Sequence, residues 1–148
     1  EYVSFTTAPP PLELSGGAVL GVTQPYDASG TRLPGVSKWA GSFGGEWTRP
    51  AAFGKRQGEF FVAADASYRS AFSSSAVASA YLNIDAYTLV NARVGFRGDD
   101  GWDFFVWGKN LADEEYFEIL SAGGSSSGYY AGLPGDPRTY GATLRGKF

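Results

Sequence analysis

The chain closes on RTYGATLRGKF, residues 138–148, and the alternation runs to its last residue. In an extended strand Tyr140, Ala142, Leu144, Gly146 and Phe148 fall on one side, and Thr139, Gly141, Thr143, Arg145 and Lys147 on the other. Chain ends commonly fray into polar tails. This one presents a side fit for oil and a side fit for water. A half-buried strand of a soluble sheet and the wall of a membrane barrel both carry that pattern, so the rest of the chain must separate them.

Working outward, the same period recurs four times. In SKWAGSFGGEWTR (37–49), Trp39, Gly41, Phe43, Gly45 and Trp47 oppose Lys38, Ala40, Ser42, Gly44, Glu46 and Thr48. In GEFFVAADASYR (58–69), Phe60, Val62, Ala64, Ala66 and Tyr68 oppose Glu59, Phe61, Ala63, Asp65, Ser67 and Arg69. AYTLVNARVGFR (86–97) sets Thr88, Val90, Ala92, Val94 and Phe96 against Leu89, Asn91, Arg93, Gly95 and Arg97. GWDFFVWGKN (101–110) sets Trp102, Phe104, Val106 and Gly108 against Asp103, Phe105, Trp107 and Lys109. EYVSFTT (1–7) reads as the end of an earlier strand.

The apolar faces carry no charge on this reading, and the polar faces carry both signs. Soluble inner faces favour branched aliphatics; these faces are built from Gly, Ala and aromatic rings. The pairs Trp39/Trp47, Phe60/Tyr68 and Tyr140/Phe148 are each eight residues apart. At roughly 3.3 Å per residue and a tilt near 45°, that spans about 19 Å of height. Two aromatic girdles flanking an apolar band produce such a spacing, with Trp102 joining them.

Composition narrows the function classes. The 148 residues include 21 glycines, 16% aromatics and 18% charged residues, and no Cys, Met or His. Disulfides, the usual zinc ligand sets and Ser-His or Cys-His dyads are thereby removed. A net charge of −3 gives no reason to expect nucleic acid as a partner. No run approaches the roughly 18 apolar residues of a spanning helix, which leaves spanning strands open. The start at Glu1 leads us to expect a mature or trimmed product.

The connections alternate in length. Residues 50–57 and 98–100 are short; residues 8–36, 71–85 and 111–137 are long and rich in Gly, Ser and Pro. Outer-membrane barrels alternate short periplasmic turns with long extracellular loops. EEYFEIL (114–120) is therefore read as part of a long loop or as a strand extension beyond the membrane, which brings Phe148 to the periplasmic rim. Asn110 and Asp113 read as turn makers, because short Asx side chains bond nearby backbone. Glu114 and Glu115 lack a partner for acid–base work. No catalytic residue, metal set or cofactor motif emerges, so an enzyme is not expected.

In the long loops, Tyr26, Tyr81, Tyr116, Phe117, Tyr129 and Tyr130 are candidate ligand-facing rings, since rigid amphipathic rings suit binding. Asp27 and Arg32, in the turn-rich PYDASGTRLPG (25–35), join them. Loop packing is the alternative use of each. The loop 111–137 holds Asp113, Glu114, Glu115, Glu118 and Asp136 with no Lys or Arg. It repels an anionic ligand unless other loops supply Arg.

Five patterns now stand in order: LPGVSKWAGSFGGEW, ASYRSAF, DAYTLVNARVGFR, WDFFVWGKNLADEEYF and PRTYGATLRGKF. Together, over most of residues 31–148, they resemble the C-terminal strands of TonB-dependent receptors. NLADEEYF is similar to that family's N-L-x-D-x-x-Y segment, and PRTYGATLRGKF to its closing strand.

The resemblance implies an all-β fold, an antiparallel transmembrane β-barrel segment of about six strands from a 22-stranded barrel in the bacterial outer membrane. Residues 1–148 would then be the C-terminal part of one barrel domain, with the plug and remaining strands outside this chain. The inward charges would face a watery or plug-filled lumen. The implied function is active import of a scarce nutrient, most often a ferric siderophore, with no cofactor. The implied partners are the rest of the receptor, the TonB–ExbB–ExbD system acting through the plug, the barrel-assembly machinery and outer-membrane lipid. Gly141, Leu144 and Phe148 fit the assembly signal of such closing strands; Gly146 departs from it, an aromatic being usual there. An open sheet in lipid leaves backbone groups unpaired at several kcal/mol each, so both edges, 1–7 and 138–148, are expected to pair with strands outside this sequence. A plug-free barrel (porin or adhesin) and a soluble β-sandwich binding module remain as alternatives.

Overall fold

The computed structural model describes residues 1–8, 27–75, 79–122 and 129–146. Tyr26, Lys147 and Phe148 lie outside the described residues. The chain forms two compact units. One contains 1–39, 69–87 and 115–135; the other contains 40–68, 88–114 and 136–148.

The second unit is a single sheet, the wall. Its strands are β1 (Ala40–Phe53), β2 (Arg56–Arg69), β5 (Tyr87–Gly98), β6 (Trp102–Lys109) and β9 (Thr139–Gly146). They lie side by side in chain order, β1-β2-β5-β6-β9, with antiparallel β5–β6 and β6–β9 pairs. These are the five segments whose alternation was read above. The turn expected over 50–57 shrinks to Gly54–Lys55, because β1 runs on to Phe53 and β2 begins at Arg56. Gly54 makes so tight a turn at φ 65°, where a β-carbon is disfavoured. Pro50 fits within β1 because β1 is an edge strand of this sheet and need not donate every ladder bond. The longer β1 also places Arg49 on the face of Trp47, so that face is not free of charge at its end.

The register fixes the two faces. Val94↔Val106↔Ala142 and Phe96↔Phe104↔Leu144 align on one face; Gly95↔Phe105↔Thr143 and Arg97↔Asp103↔Arg145 align on the other. The apolar face is uncovered: Phe43 is 84%, Leu144 73% and Trp39 66% exposed. A soluble sandwich would cover that face with a second layer. The buried side chains of the wall include Phe61 (3%), Ala63 and Phe105 (9% each) on the charged face, and on the apolar face Phe96 (8%), which packs beside Phe53 and Trp102.

The first unit gathers the long connections. It holds two small ladders, β3 (Phe72–Ser73) with β4 (Asn83–Ile84) and β7 (Phe117–Ala122) with β8 (Tyr130–Pro134), plus a short 3-10 turn over Ala80–Leu82. Phe72, Leu82 and Ile84 are its buried apolar residues, and the Arg69 guanidinium lies 3.7 Å over the Phe72 ring. Ser74 Oγ donates to the Leu120 carbonyl and accepts from the Leu120 N–H, tying the two ladders. The 114–120 segment thus ends in a strand paired within its own long connection.

Residues 1–7 are not a wall strand. Tyr2 N–H donates to Thr31 O at 2.9 Å, Gly30 N–H to Tyr2 O and Ala28 N–H to Phe5 O, each at 2.8 Å. The turn at 28–31 satisfies this backbone, so the sheet edge falls at β1 instead. Seven alternating residues state a face but not a partner.

Candidate functional site

The charged face of the wall is a cross-strand network. Glu46 on β1 accepts from Arg93 at 3.0 Å and Arg97 at 3.2 Å, both on β5. Arg97 also donates to Glu59 on β2. Beneath these bonds lies Phe61: the guanidinium carbons of Arg97 and Arg93 stand 4.8 Å and 5.9 Å from its ring centre. Phe61 in turn meets Phe105 at 6.2 Å, and Arg145 stands 5.1 Å from the Phe105 ring. Arginine planes stack on aromatic faces while their N–H groups remain free for carboxylates. The face read as wet is therefore an aromatic floor roofed by guanidinium groups. Alternation places Phe61 and Phe105 on this face, but their cover comes from other strands and needs the register.

Asn110 closes one end of this face. It adopts φ 48° and is 4% exposed. Its N–H donates to Asn91 Oδ1 at 3.1 Å. Its Nδ2 donates to the carbonyls of Glu114 (2.9 Å) and Asp136 (3.1 Å), and its Oδ1 accepts the Glu114 N–H at 2.9 Å. Asp113, at φ 57°, accepts from Arg138 at 3.0 Å. One amide thus fixes where β6 ends and where the chain returns toward β9.

On the apolar face, Trp102 packs with Phe53 (6.4 Å) and Phe96 (5.8 Å) near the short turns, a cluster the alternation alone does not bring together. Trp47 meets Phe60 edge-on at 6.4 Å. Tyr68, Trp39 and Tyr140 are exposed, Tyr140 at 81%. Arg56 stacks on Trp102 at 5.0 Å and pairs with Asp100. On β9, Leu144 lies on the apolar face opposite Phe104, and Gly141 lies on the charged face opposite Trp107.

The loop candidates fall in the first unit, apart from Tyr26 outside the described residues. Tyr81 and Tyr130 come together with ring centres 5.2 Å apart. Tyr129 and Phe117 are exposed, Phe117 pairing in register with Pro134. Tyr116 turns inward, stacked on Tyr87 at 4.4 Å, with its carbonyl accepting the Gly135 N–H. Asp27 caps a turn by accepting the Ser29 N–H at 2.9 Å. Bonds from Ser29, hydroxyl first and backbone second, hold its carboxyl below the usual aspartate range. Arg32 is exposed.

A single antiparallel sheet, greasy on one side and charged on the other, with long connections alternating with short turns, fits an outer-membrane-type barrel wall. Residues 4–111 match the family described as TonB dependent receptor-like, beta-barrel. The chain belongs to that family, whose members are outer-membrane receptors rather than a class of enzymes. It is 34% identical over 68 residues to the ferric-pyoverdine M114 receptor PbuA of Pseudomonas sp. (strain M114). That match covers 45% of this chain and 8% of the relative. No solved structure matches.

Proposed function

We propose that this chain forms part of the wall of a TonB-dependent transporter that imports a scarce nutrient, with a ferric siderophore as the substrate class. The observation that carries the reading is the similarity to a ferric-pyoverdine receptor, alongside the family match. The uncovered apolar face supports lipid as the solvent of that wall. The partners are the remaining barrel strands and plug, the TonB–ExbB–ExbD system acting through that plug, and the barrel-assembly machinery. Strands outside this sequence pair with the free edges of β1 and β9. Gly141, Leu144 and Phe148 act in the assembly signal. Tyr81, Tyr130, Tyr129 and Phe117 contact ligand, with Asp27 and Arg32 as lesser contributors. Tyr116 serves packing first, given its stack on Tyr87.

The test is uptake of radio-iron by iron-starved cells carrying or lacking the full-length receptor, offered ferric pyoverdine and unrelated ferric siderophores. Uptake that needs both the receptor and TonB supports the reading. Receptor-dependent passage without TonB overturns it in favour of a passive barrel.

A further inference from the structure

The short-turn end of the wall keeps its charges apart by sign. The β1–β2 connection supplies two cations, Lys55 and Arg56, and the β5–β6 turn two acids, Asp99 and Asp100. The Asp99 N–H donates to the Gln57 carbonyl at 3.1 Å, which sets the two turns side by side. Arg56, on the apolar face of β2, reaches past the end of β5 to pair with Asp100 and to stack on Trp102 at 5.0 Å. Gly98 leaves that path open: a β-carbon there would lie 2.6 Å from Asp100 Oδ1 and 3.0 Å from Trp102 Nε1. Phe53 leans the same way, 6.0 Å from Phe96 and 6.4 Å from Trp102. Lys55 and Asp99 are exposed, and neither forms an ion pair among the described residues.

The leaning turn leaves an open concavity of about 830 Å³ between itself and the end of β9. Phe53, Trp102 and Leu144 give it apolar walls, and Lys55, Arg56, Asp100 and Arg145 line it too. Among the described residues, the Arg97↔Asp103↔Arg145 row and the turns beyond it hold Lys55, Arg56, Arg97 and Arg145. Against them stand Asp99, Asp100, Asp103 and Glu59, the last bonded to Arg97, so the charges cancel. A neutral end with its signs segregated fits a neutral occupant that carries both. A phosphate accepts from Lys55 and from the Arg56 N–H groups that Asp100 does not engage; an ammonium donates to Asp99 and Asp100. A primary ammonium has three N–H donors for these carboxylates, and a quaternary one has none. The apolar walls run on into the uncovered face at Leu144, along which acyl chains lie.

We propose that this concavity seats the headgroup of a phosphatidylethanolamine-type phospholipid, phosphate toward the β1–β2 turn and ammonium toward the β5–β6 turn. The inference rests on the reading of the apolar face as lipid-facing and not on import.

The experiment is native mass spectrometry of the full-length receptor in detergent, titrated separately with phosphatidylethanolamine, phosphatidylglycerol and phosphatidylcholine. Saturable retention of phosphatidylethanolamine above the other two is expected. Lys55→Gln and Asp99→Asn should each weaken it about tenfold, the worth of one lost charged hydrogen bond. Lys109→Gln, at the far end of β6, should leave it unchanged. Phosphatidylglycerol held as tightly as phosphatidylethanolamine, and indifferent to Asp99→Asn, overturns the ammonium seat and with it the proposal. So does retention of all three lipids indifferent to both substitutions, or no retention of phosphatidylethanolamine. The cost of Phe43→Arg in lipid vesicles reports the lipid-facing reading separately: a costly Phe43→Arg with no headgroup selectivity means that the concavity alone fails.

Discussion

Trp107 on β6 lies across Gly141 on β9: the two are directly paired, and a β-carbon at Gly141 would sit 2.7 Å from the six-membered ring of the indole. The indole covers the glycine and reaches Thr143, two residues along the same strand. A bare glycine weakens a strand; here the ring supplies the packing and pins the register of the closing pair. Gly141→Ala forces the indole off this seat and costs about 1–3 kcal/mol, as overpacking does. The same substitution in a Trp107→Ala background costs less, with a coupling on the order of 1 kcal/mol. Denaturant unfolding of the four proteins in detergent measures the cycle; additive costs would show that the ring and the glycine are independent.

Asn110 is the second pin. Ala at this position loses all three side-chain bonds, strands the Glu114 N–H and two carbonyls, and keeps a β-carbon at positive φ without the local bonding that makes Asn tolerant there. The expected loss is about 2–4 kcal/mol. Asn110→Gly relieves the backbone but not the bonds, so it recovers only part. Unfolding midpoints of both variants check the order; equal stability of Asn110→Ala and wild type would remove the amide from this role.

Asp27 offers a pH signature. Its folded carboxyl titrates below the ordinary value because Ser29 bonds the charged form. A depressed carboxylate contributes stability above its unfolded pKa, about 3.9, and loses it as the pH falls through the lower folded value. Ser29→Ala removes the larger cause and keeps the backbone bond, so the Asp27 pKa moves up toward the ordinary value. Titrating the Asp27 carboxyl carbon by NMR in both proteins reads this directly; an unmoved value would mean that the hydroxyl does not act on it.

The sequence exposes the wall because each strand repeats every two residues, and that period assigns a face without any knowledge of neighbours. Glu46, Arg93, Arg97 and Arg145 share a face in the register just as their parity requires. What parity leaves out is the partner. Phe61 was grouped with charged residues, and its burial arises from Arg93 and Arg97, more than thirty positions away and one strand over. Residues 1–7 failed for the same reason, since their partners at 28–31 lie across a long loop. Tyr81 and Tyr130 were named singly; their meeting depends on how the first unit folds.

The face of Phe43 separates a barrel from a soluble sheet. Phe43 is 84% exposed, so replacing it disturbs almost no protein contact. In water, Phe43→Arg should then change stability by less than about 0.5 kcal/mol. Facing the middle of a bilayer, the same substitution costs about 2–4 kcal/mol. Refolding the full-length receptor into lipid vesicles, against Phe43→Leu as control, distinguishes the two. A cost in the upper range places this side in lipid, and a negligible one removes it.

The charged face poses a last question of magnitude: whether the ion pairs or the ring beneath them hold β1, β2 and β5 together. Glu46 keeps 29% of its side-chain surface in solvent, and Arg93 and Arg97 keep 52% and 41%. Pairs so exposed are screened and contribute about 0–1 kcal/mol. Phe61, at 3% exposure, loses packing on Phe105 and two guanidinium stacks when truncated, and Phe→Ala at buried sites costs about 3–5 kcal/mol. Phe61→Ala should therefore destabilise the wall several times more than Glu46→Gln. Added salt should narrow only the effect of Glu46→Gln, since stacking under the arginines is shielded from solvent while the carboxylate is not. Unfolding both variants at low and high ionic strength tests this. If Glu46→Gln proved the costlier change, the charges would be the structural element and the ring their filler.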